Sequence, residues 1–164
     1  MKTLLLLRHA KSSWDTPDLR DFDRPLNERG QHAAPLMGEY LRRQNISPDL
    51  ILCSPAERAR QTAALFLPAA QLNHVPLRLE ARIYDATAGQ LLEVIAGIDA
   101  GAERALVIGH NPGMEELLQL FTGETRRMPT AALACLELES EDWEKTQPHS
   151  GRLLWLTRPK DVAT

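Results

Sequence analysis

Leu4-Leu5-Leu6-Leu7-Arg8-His9 is the stretch on which the fold is decided. Four consecutive leucines leave no polar face, so a strand over residues 4–7 has to be buried on both sides, as central strands of parallel sheets are. Two strongly polar residues follow at once. The pattern recurs downstream: Leu50-Ile51-Leu52-Cys53 runs into Ser54, and Ala105-Leu106-Val107-Ile108 runs into Gly109-His110-Asn111. Helix-like periodicity fills the intervals. This alternation predicts an α/β chain, a three-layer α/β/α sandwich with a mostly parallel central sheet. A short strand is expected over 75–79. Two late runs, 132–138 and 152–156, predict an antiparallel edge. With 164 residues, no internal repeat and no low-complexity linker, the reading is one domain over 1–164.

The helix boundaries carry their own signals. Asn27 is an N-cap candidate for a helix towards Arg43, with Ala33, Met37, Tyr40 and Leu41 on one face. Pro35 either kinks that helix or marks its true start. Ser54-Pro55-Ala56-Glu57 reads as a capping box with proline at the first helical position, ahead of Ala59, Ala63 and Phe66. Thr87 and Gln90 form a second box, opening a helix that buries Leu91, Leu92, Ile95 and Ile98. Asn111-Pro112 reads as a cap and first position, and Gly123 as the end of that helix.

Composition narrows the function classes. Nineteen basic and 22 acidic residues give a formal net charge of -3, which argues against a dedicated nucleic-acid binder. The leading apolar run is too short for a signal peptide and no stretch is long enough for a membrane span, so the expected location is the cytoplasm, with no membrane partner. The two cysteines, Cys53 and Cys135, have neither disulfide nor metal spacing and read as small buried apolar groups.

The chemistry concentrates after the three apolar strands. In open α/β sheets ligands bind outside the carboxyl ends of the strands. If the three strands are parallel neighbours, Arg8, His9, His110 and Arg58 (in the first turn after Ser54) converge there with two helix N-termini, which attract anions. Arginine forks match phosphate oxygens, and an imidazole can be a nucleophile. Each residue alone has a bland reading: a strand-end charge, a solvated helix charge or a cap. Their shared placement favours a phosphate site with His9 as nucleophile. Lys11 and Ser12 either touch phosphate or belong to a solvated loop. Asp21-Phe22-Asp23-Arg24 either orients a catalytic arginine or forms a structural ion pair. His32, His74 and His149 lack strand-end placement and are assigned to the surface. Metal-hydrolase ligand pairs, a P-loop, a dinucleotide fingerprint, a Gly-x-Ser-x-Gly elbow and a Cys-x5-Arg loop are all absent from the sequence.

Four motifs in order, Leu7-Arg8-His9-Ala10-Lys11-Ser12, Arg24-Pro25-Leu26-Asn27-Glu28-Arg29-Gly30, Ser54-Pro55-Ala56-Glu57-Arg58-Ala59-Arg60-Gln61-Thr62 and Gly109-His110-Asn111-Pro112, resemble the histidine phosphatase superfamily. Alanine after Arg-His, followed by Lys-Ser, is similar to its SixA-type phosphohistidine phosphatase branch. The resemblance implies that His9 is the phosphorylated nucleophile, that Arg8, Arg58 and His110 bind the phosphate, and that no metal or other cofactor is needed. Larger members also use a carboxylate as general acid. The nearest candidate is Asp85, which alternatively just starts the turn before Thr87. An imidazole leaves a phosphoramidate readily, so weak acid provision favours phosphohistidine over an ester. The expected partner is a phosphorylated protein. The alternative is a small phosphate ester or phosphoramidate, and the remaining rival is a phosphate-binding module without turnover.

Overall fold

The computed structural model describes residues 1–162. In chain order it runs β1 (Lys2–Arg8), α1 (Glu28–Arg43), β2 (Leu50–Cys53), α2 (Glu57–Ala69), β3 (Leu77–Leu79), α3 (Ala88–Ala96), β4 (Arg104–Gly109), α4 (Gly113–Thr122), β5 (Leu133–Leu138), β6 (Gly151–Thr157) and the short α5 (Pro159–Val162). The strands form one sheet in the order β3-β2-β4-β1-β5-β6. The β3/β2, β2/β4 and β4/β1 pairs are parallel, while β1/β5 and β5/β6 are antiparallel. Only β5 runs against the rest.

The leucine tetrad explains why helices cover both faces. Leu5 and Leu7 point into a core with Met37 and Leu41 of α1 and Phe66 of α2. Leu4 and Leu6 point the other way, to Val94 and Ile95 of α3 and Leu117 and Phe121 of α4. All four leucines are fully buried. Each therefore contributes roughly 2 kcal/mol, and a strand with a polar residue at any of these positions would forfeit one core.

Local signals held unevenly. Asn27 caps α1, accepting from the Gly30 N–H at 2.9 Å. The Thr87–Gln90 box is complete, and Gly123 ends α4 in the left-handed region at φ 78. Pro35 sits inside an α1 that already began at Glu28, so it does not mark the start. The short strand covers Leu77–Leu79 rather than 75–79. Two caps are corrected. The cap of α2 is Ala56 and the helix begins at Glu57, with no side-chain cap; Ser54 is turned to another partner described below. The cap of α4 is Pro112, with Gly113 the first helical residue. The Asn111 amide instead reaches Glu115 and the Met128 carbonyl, which ties α4 to the segment ahead of β5.

One glycine is demanded by packing. A Cβ at Gly30 would overlap the Lys11 carbonyl. That carbonyl also accepts from the Asn27 N–H at 2.9 Å, so the start of α1 is pressed onto the loop leaving β1.

Candidate active site

The strand order brings three carboxyl ends side by side. Arg8 pairs in register with Gly109. The His9 N–H donates to the Gly109 carbonyl at 3.0 Å, and the Ser54 N–H to the Ile108 carbonyl at 3.0 Å. β4 is therefore the middle strand, and His110 emerges between His9 and Ser54. The two imidazole rings lie 5.1 Å apart, centre to centre. His9, His110 and Arg58 are all buried.

His9 Nδ1 lies 2.7 Å from the Ala10 carbonyl oxygen. A carbonyl only accepts, so Nδ1 carries the proton and Nε2 keeps its lone pair. Burial is the main force on its basicity. The Ala10 bond opposes it, while His110, Arg58 and Arg8 add to it, and the pKa falls to about 3. His9 is therefore neutral at pH 7, as a nucleophile must be. Ala10 is fixed in turn: its N–H donates to Thr62 Oγ1 at 2.9 Å, and the Thr62 hydroxyl donates to the Arg58 carbonyl one turn back at 2.7 Å. Thr62 thus couples the loop carrying His9 to the helix carrying Arg58.

His110 Nε2 lies 2.7 Å from Ser54 Oγ. Ser54 is fully buried, and its Oγ already accepts from the Ala56 N–H at 3.2 Å. The hydroxyl proton has His110 Nε2 as its partner, which puts the neutral imidazole's own proton on Nδ1. Burial first, then the Arg58 charge, lower the His110 pKa to about 4, against the opposing pull of Asp21. Capping had suggested Ser54 from its neighbours in sequence; its tie to His110 spans 56 positions and has no local signal.

Arg58 is held by Asp21. Its Nη1 donates to the Asp21 carbonyl at 2.7 Å and its Nη2 to Asp21 Oδ2 at 3.0 Å. Asp21 Oδ1 accepts from Arg24 Nε and Nη2, and Oδ2 also accepts from the Tyr84 hydroxyl at 2.7 Å. Burial alone would raise the Asp21 pKa. The Tyr84 bond, the Arg58 charge and the bonds from Arg58 and Arg24 outweigh it and bring it down to about 2. Of the two readings of the Asp21–Arg24 run, orientation of Arg58 is the one seen, together with the ion pair to Arg24. Tyr84, whose ring stands 5.6 Å from that of His110, had no sequence signal.

Arg8 Nη1 donates to the Met128 carbonyl at 3.0 Å. Three buried side-chain nitrogens or oxygens have no hydrogen-bond partner among the described residues: Arg8 Nε, Arg58 Nε and His110 Nδ1. Leaving one buried donor unpaired costs about 1–3 kcal/mol. Three such donors around one imidazole destabilise the fold and suit a tetrahedral anion.

The other candidates stand elsewhere. Ser12 is buried and its Oγ accepts from Arg24 Nη1 at 2.8 Å. Lys11 is exposed. Asp85 is exposed, at φ 53 in the turn before Thr87, and among the described residues no hydrogen bond joins it to the two histidines or to Arg8 and Arg58. His32, His74 and His149 are on the surface. Cys53 and Cys135 are buried and unpaired. Among the described residues no three His, Cys, Asp or Glu side chains cluster as a metal site requires, and no helix is long and apolar enough to cross a membrane.

The sheet thus holds Arg8, His9 and His110 at its carboxyl ends, with Arg58 of α2 beside them. The profile of the histidine phosphatase superfamily (branch 1) matches residues 4–100, and the chain belongs to that family. Among solved structures it is similar to the SixA protein of Agrobacterium tumefaciens, at 32% identity and a TM-score of 0.83, covering 96% of this chain and 98% of that one. It is also similar to the protein histidine phosphatase SixA in complex with tungstate, at 26% identity and a TM-score of 0.82, covering 98% and 99%. An uncharacterized chloroplastic protein of Arabidopsis thaliana is 32% identical over 162 residues, 94% of this chain and 74% of the relative.

Proposed function

We propose that this chain is a phosphohydrolase that passes a phosphoryl group through His9 and takes it from phosphohistidine on a protein. The observation that carries the reading is the trio of unpaired buried donors, Arg8 Nε, Arg58 Nε and His110 Nδ1, around a neutral His9 whose Nε2 is unprotonated. Three unpaired donors are as many as a phosphoryl group has oxygens to offer them, and all three residues act electrostatically on His9. The SixA relative binds tungstate, a tetrahedral oxyanion like phosphate, which accords with the same use here.

In the first step the Nε2 lone pair forms a bond to phosphorus as the bond from phosphorus to the substrate's imidazole breaks. The electron pair goes to that substrate nitrogen. The departing ring carries a proton on its other nitrogen and leaves as neutral imidazole. His9 becomes a phosphoryl imidazolium, with its Nδ1–H still donating to Ala10. In the second step a water oxygen attacks phosphorus, the pair returns to Nε2, and phosphate leaves as dihydrogen phosphate with both of the water's protons. Neither step routes charge through a metal, because Arg8, Arg58 and the Nδ1–H of His110 carry it.

The choice of phosphohistidine rests on the proton supply. Asp21, the carboxylate that touches the site arginine, is ionised at neutral pH and has no proton to give. Asp85 is turned out to solvent. An alkoxide would leave badly from such a site, and an imidazole leaves without help. Two unpaired cysteines in the core accord with a reducing, cytoplasmic setting.

Rapid quench with a labelled phosphohistidine peptide is expected to trap an acid-labile phosphoenzyme and release phosphate, and His9→Ala to abolish both. A chain that binds without labelling is a binding module instead. Faster turnover of a sugar phosphate than of the phosphohistidine peptide would overturn the substrate assignment.

A further inference from the structure

A cavity of about 740 Å³ opens beside Arg8 and is lined by Asn111, Glu115, Arg127, Met128, Arg158 and Lys160 among others. A second cavity, of about 200 Å³, shares Pro129, Arg158 and Lys160 with it and adds Lys11, Arg29 and Thr130. The two make one trench leading away from Arg8. Its six cations come from the end of β1, the loop after it, the first turn of α1, the α4–β5 connection and the β6–α5 junction. The chain as a whole is acidic, with a formal net charge of -3. Yet among the described residues the trench lining holds a single carboxylate, Glu115. Its Oε2 already accepts from Asn111 and from the Met128 N–H, and its Oε1 lies 3.8 Å from Arg127. Arg158 is paired with Asp161. Among the described residues no carboxylate lies within 4 Å of the cationic groups of Lys11, Arg29 or Lys160. The fold therefore gathers these charges and, among the described residues, leaves Lys11, Arg29 and Lys160 without a carboxylate partner, at a cost in mutual repulsion.

We propose that the trench is a docking surface for the acidic face of the phosphorylated protein, a reading that rests on the phosphohistidine assignment above. The trench exceeds what a phosphoryl group needs. Small-ligand pockets are lined mostly by apolar and aromatic side chains with few polar groups; this lining has no aromatic residue and is dominated by Lys and Arg. Without aromatics it also lacks the stacking platform that single-stranded nucleic acid uses. An extended or helical acidic segment adjoining the phosphohistidine is the occupant whose charge and size fit.

The test uses fluorescein-labelled peptides of equal length carrying one phosphohistidine, flanked by four glutamates or by four glutamines. Binding is read by anisotropy with the His9→Ala chain, and turnover with the unaltered chain. At 50 mM salt the Glu-flanked peptide is expected to bind at least tenfold tighter and to show a correspondingly higher kcat/KM, the two peptides converging at 0.5 M salt. The Arg29→Glu/Arg127→Glu/Lys160→Glu variant is expected to erase that ratio, and its circular dichroism and urea midpoint establish that it is folded. Equal binding of both peptides, or a ratio that survives the triple variant, overturns the docking surface even if both are hydrolysed. Competition by single-stranded DNA as effective as that of the acidic peptide overturns it too, as a face for any polyanion. Charge-dependent binding without hydrolysis upholds the surface and sinks the catalytic reading instead.

Discussion

Acid should destabilise this protein through the two buried histidines of the candidate site, and the size of the effect can be worked out. In the folded chain His9 titrates at about 3 and His110 at about 4. In the unfolded chain both return to the ordinary histidine value near ~6.5. The folded values lie below the unfolded ones, so the unfolded chain binds more protons and stability falls as pH falls. The loss begins near pH 7 and continues to the folded values. Between pH 7 and pH 5 each histidine removes about 2 kcal/mol. That figure is set by the unfolded value, because both folded values are still a unit or more away at pH 5. Together the pair removes about 4 kcal/mol, a large part of the ~5–15 kcal/mol of a typical domain. Asp21 does not enter this window: its pKa drops from 3.8 to about 2, so its contribution is lost only at lower pH. The assay is urea unfolding at pH 7 and pH 5, followed by fluorescence of the buried Trp143. The unaltered chain is expected to lose about 4 kcal/mol, His9→Asn and His110→Asn about 2 kcal/mol each, and the double variant little. If the double variant lost as much as the unaltered chain, the site histidines would not be held neutral by burial, and the basis for His9 as a neutral nucleophile would go with it.

Two further outcomes are expected. Ser54→Ala removes the hydroxyl that sets the His110 tautomer; kcat should fall about 10- to 100-fold, and ¹⁵N spectra of the His110 ring should change from an Nδ1–H form to a mixture, whereas an unchanged ring signal would remove Ser54 from this role. Asp21→Asn keeps the backbone acceptor for Arg58 but cancels the charge shared by Arg58, Arg24 and Tyr84; kcat/KM should drop about 10- to 100-fold with a stability loss of only about 1 kcal/mol, since the carboxylate is half exposed, and Tyr84→Phe should cost less in the same assay.

The legible parts of the site were those adjacent in sequence to something physical. Arg8, His9 and His110 directly follow apolar runs, and a run with no polar face can only be a strand with helices on both sides. Arg58 was legible as a residue of the helix after β2, although that helix starts at Glu57 and not after a Ser54 cap. What sequence could not supply were the partners. Ser54 had a plausible local duty as a cap, and only the pairing of β2 with β4 exposes the competing one, His110 Nε2. Tyr84 comes from a short 3-10 turn, Ala81–Ile83, whose position beside the Asp21–Asp23 turn is fixed by tertiary packing alone. Thr62 was visible in the third motif, but its bond to Ala10 crosses 52 positions. The cap of α4 was misread for a related reason: Asn111, a good capping residue, is drawn instead to Glu115 and Met128.

The central seat of β1 has a consequence for the chain as it is made. Leu4 waits for Ala105 on one side, and Leu7 for Leu133 on the other. On an emerging polypeptide the four leucines are exposed for as long as it takes to synthesise roughly a hundred further residues, without a sheet to join. Such a segment is prone to pair with its own copies, and flanking charge is the usual safeguard. Here Lys2 stands before the tetrad and Arg8 directly after it. Arg8 thus has the position of a charge flanking a nascent strand, a duty earlier than the one proposed for it at a phosphate.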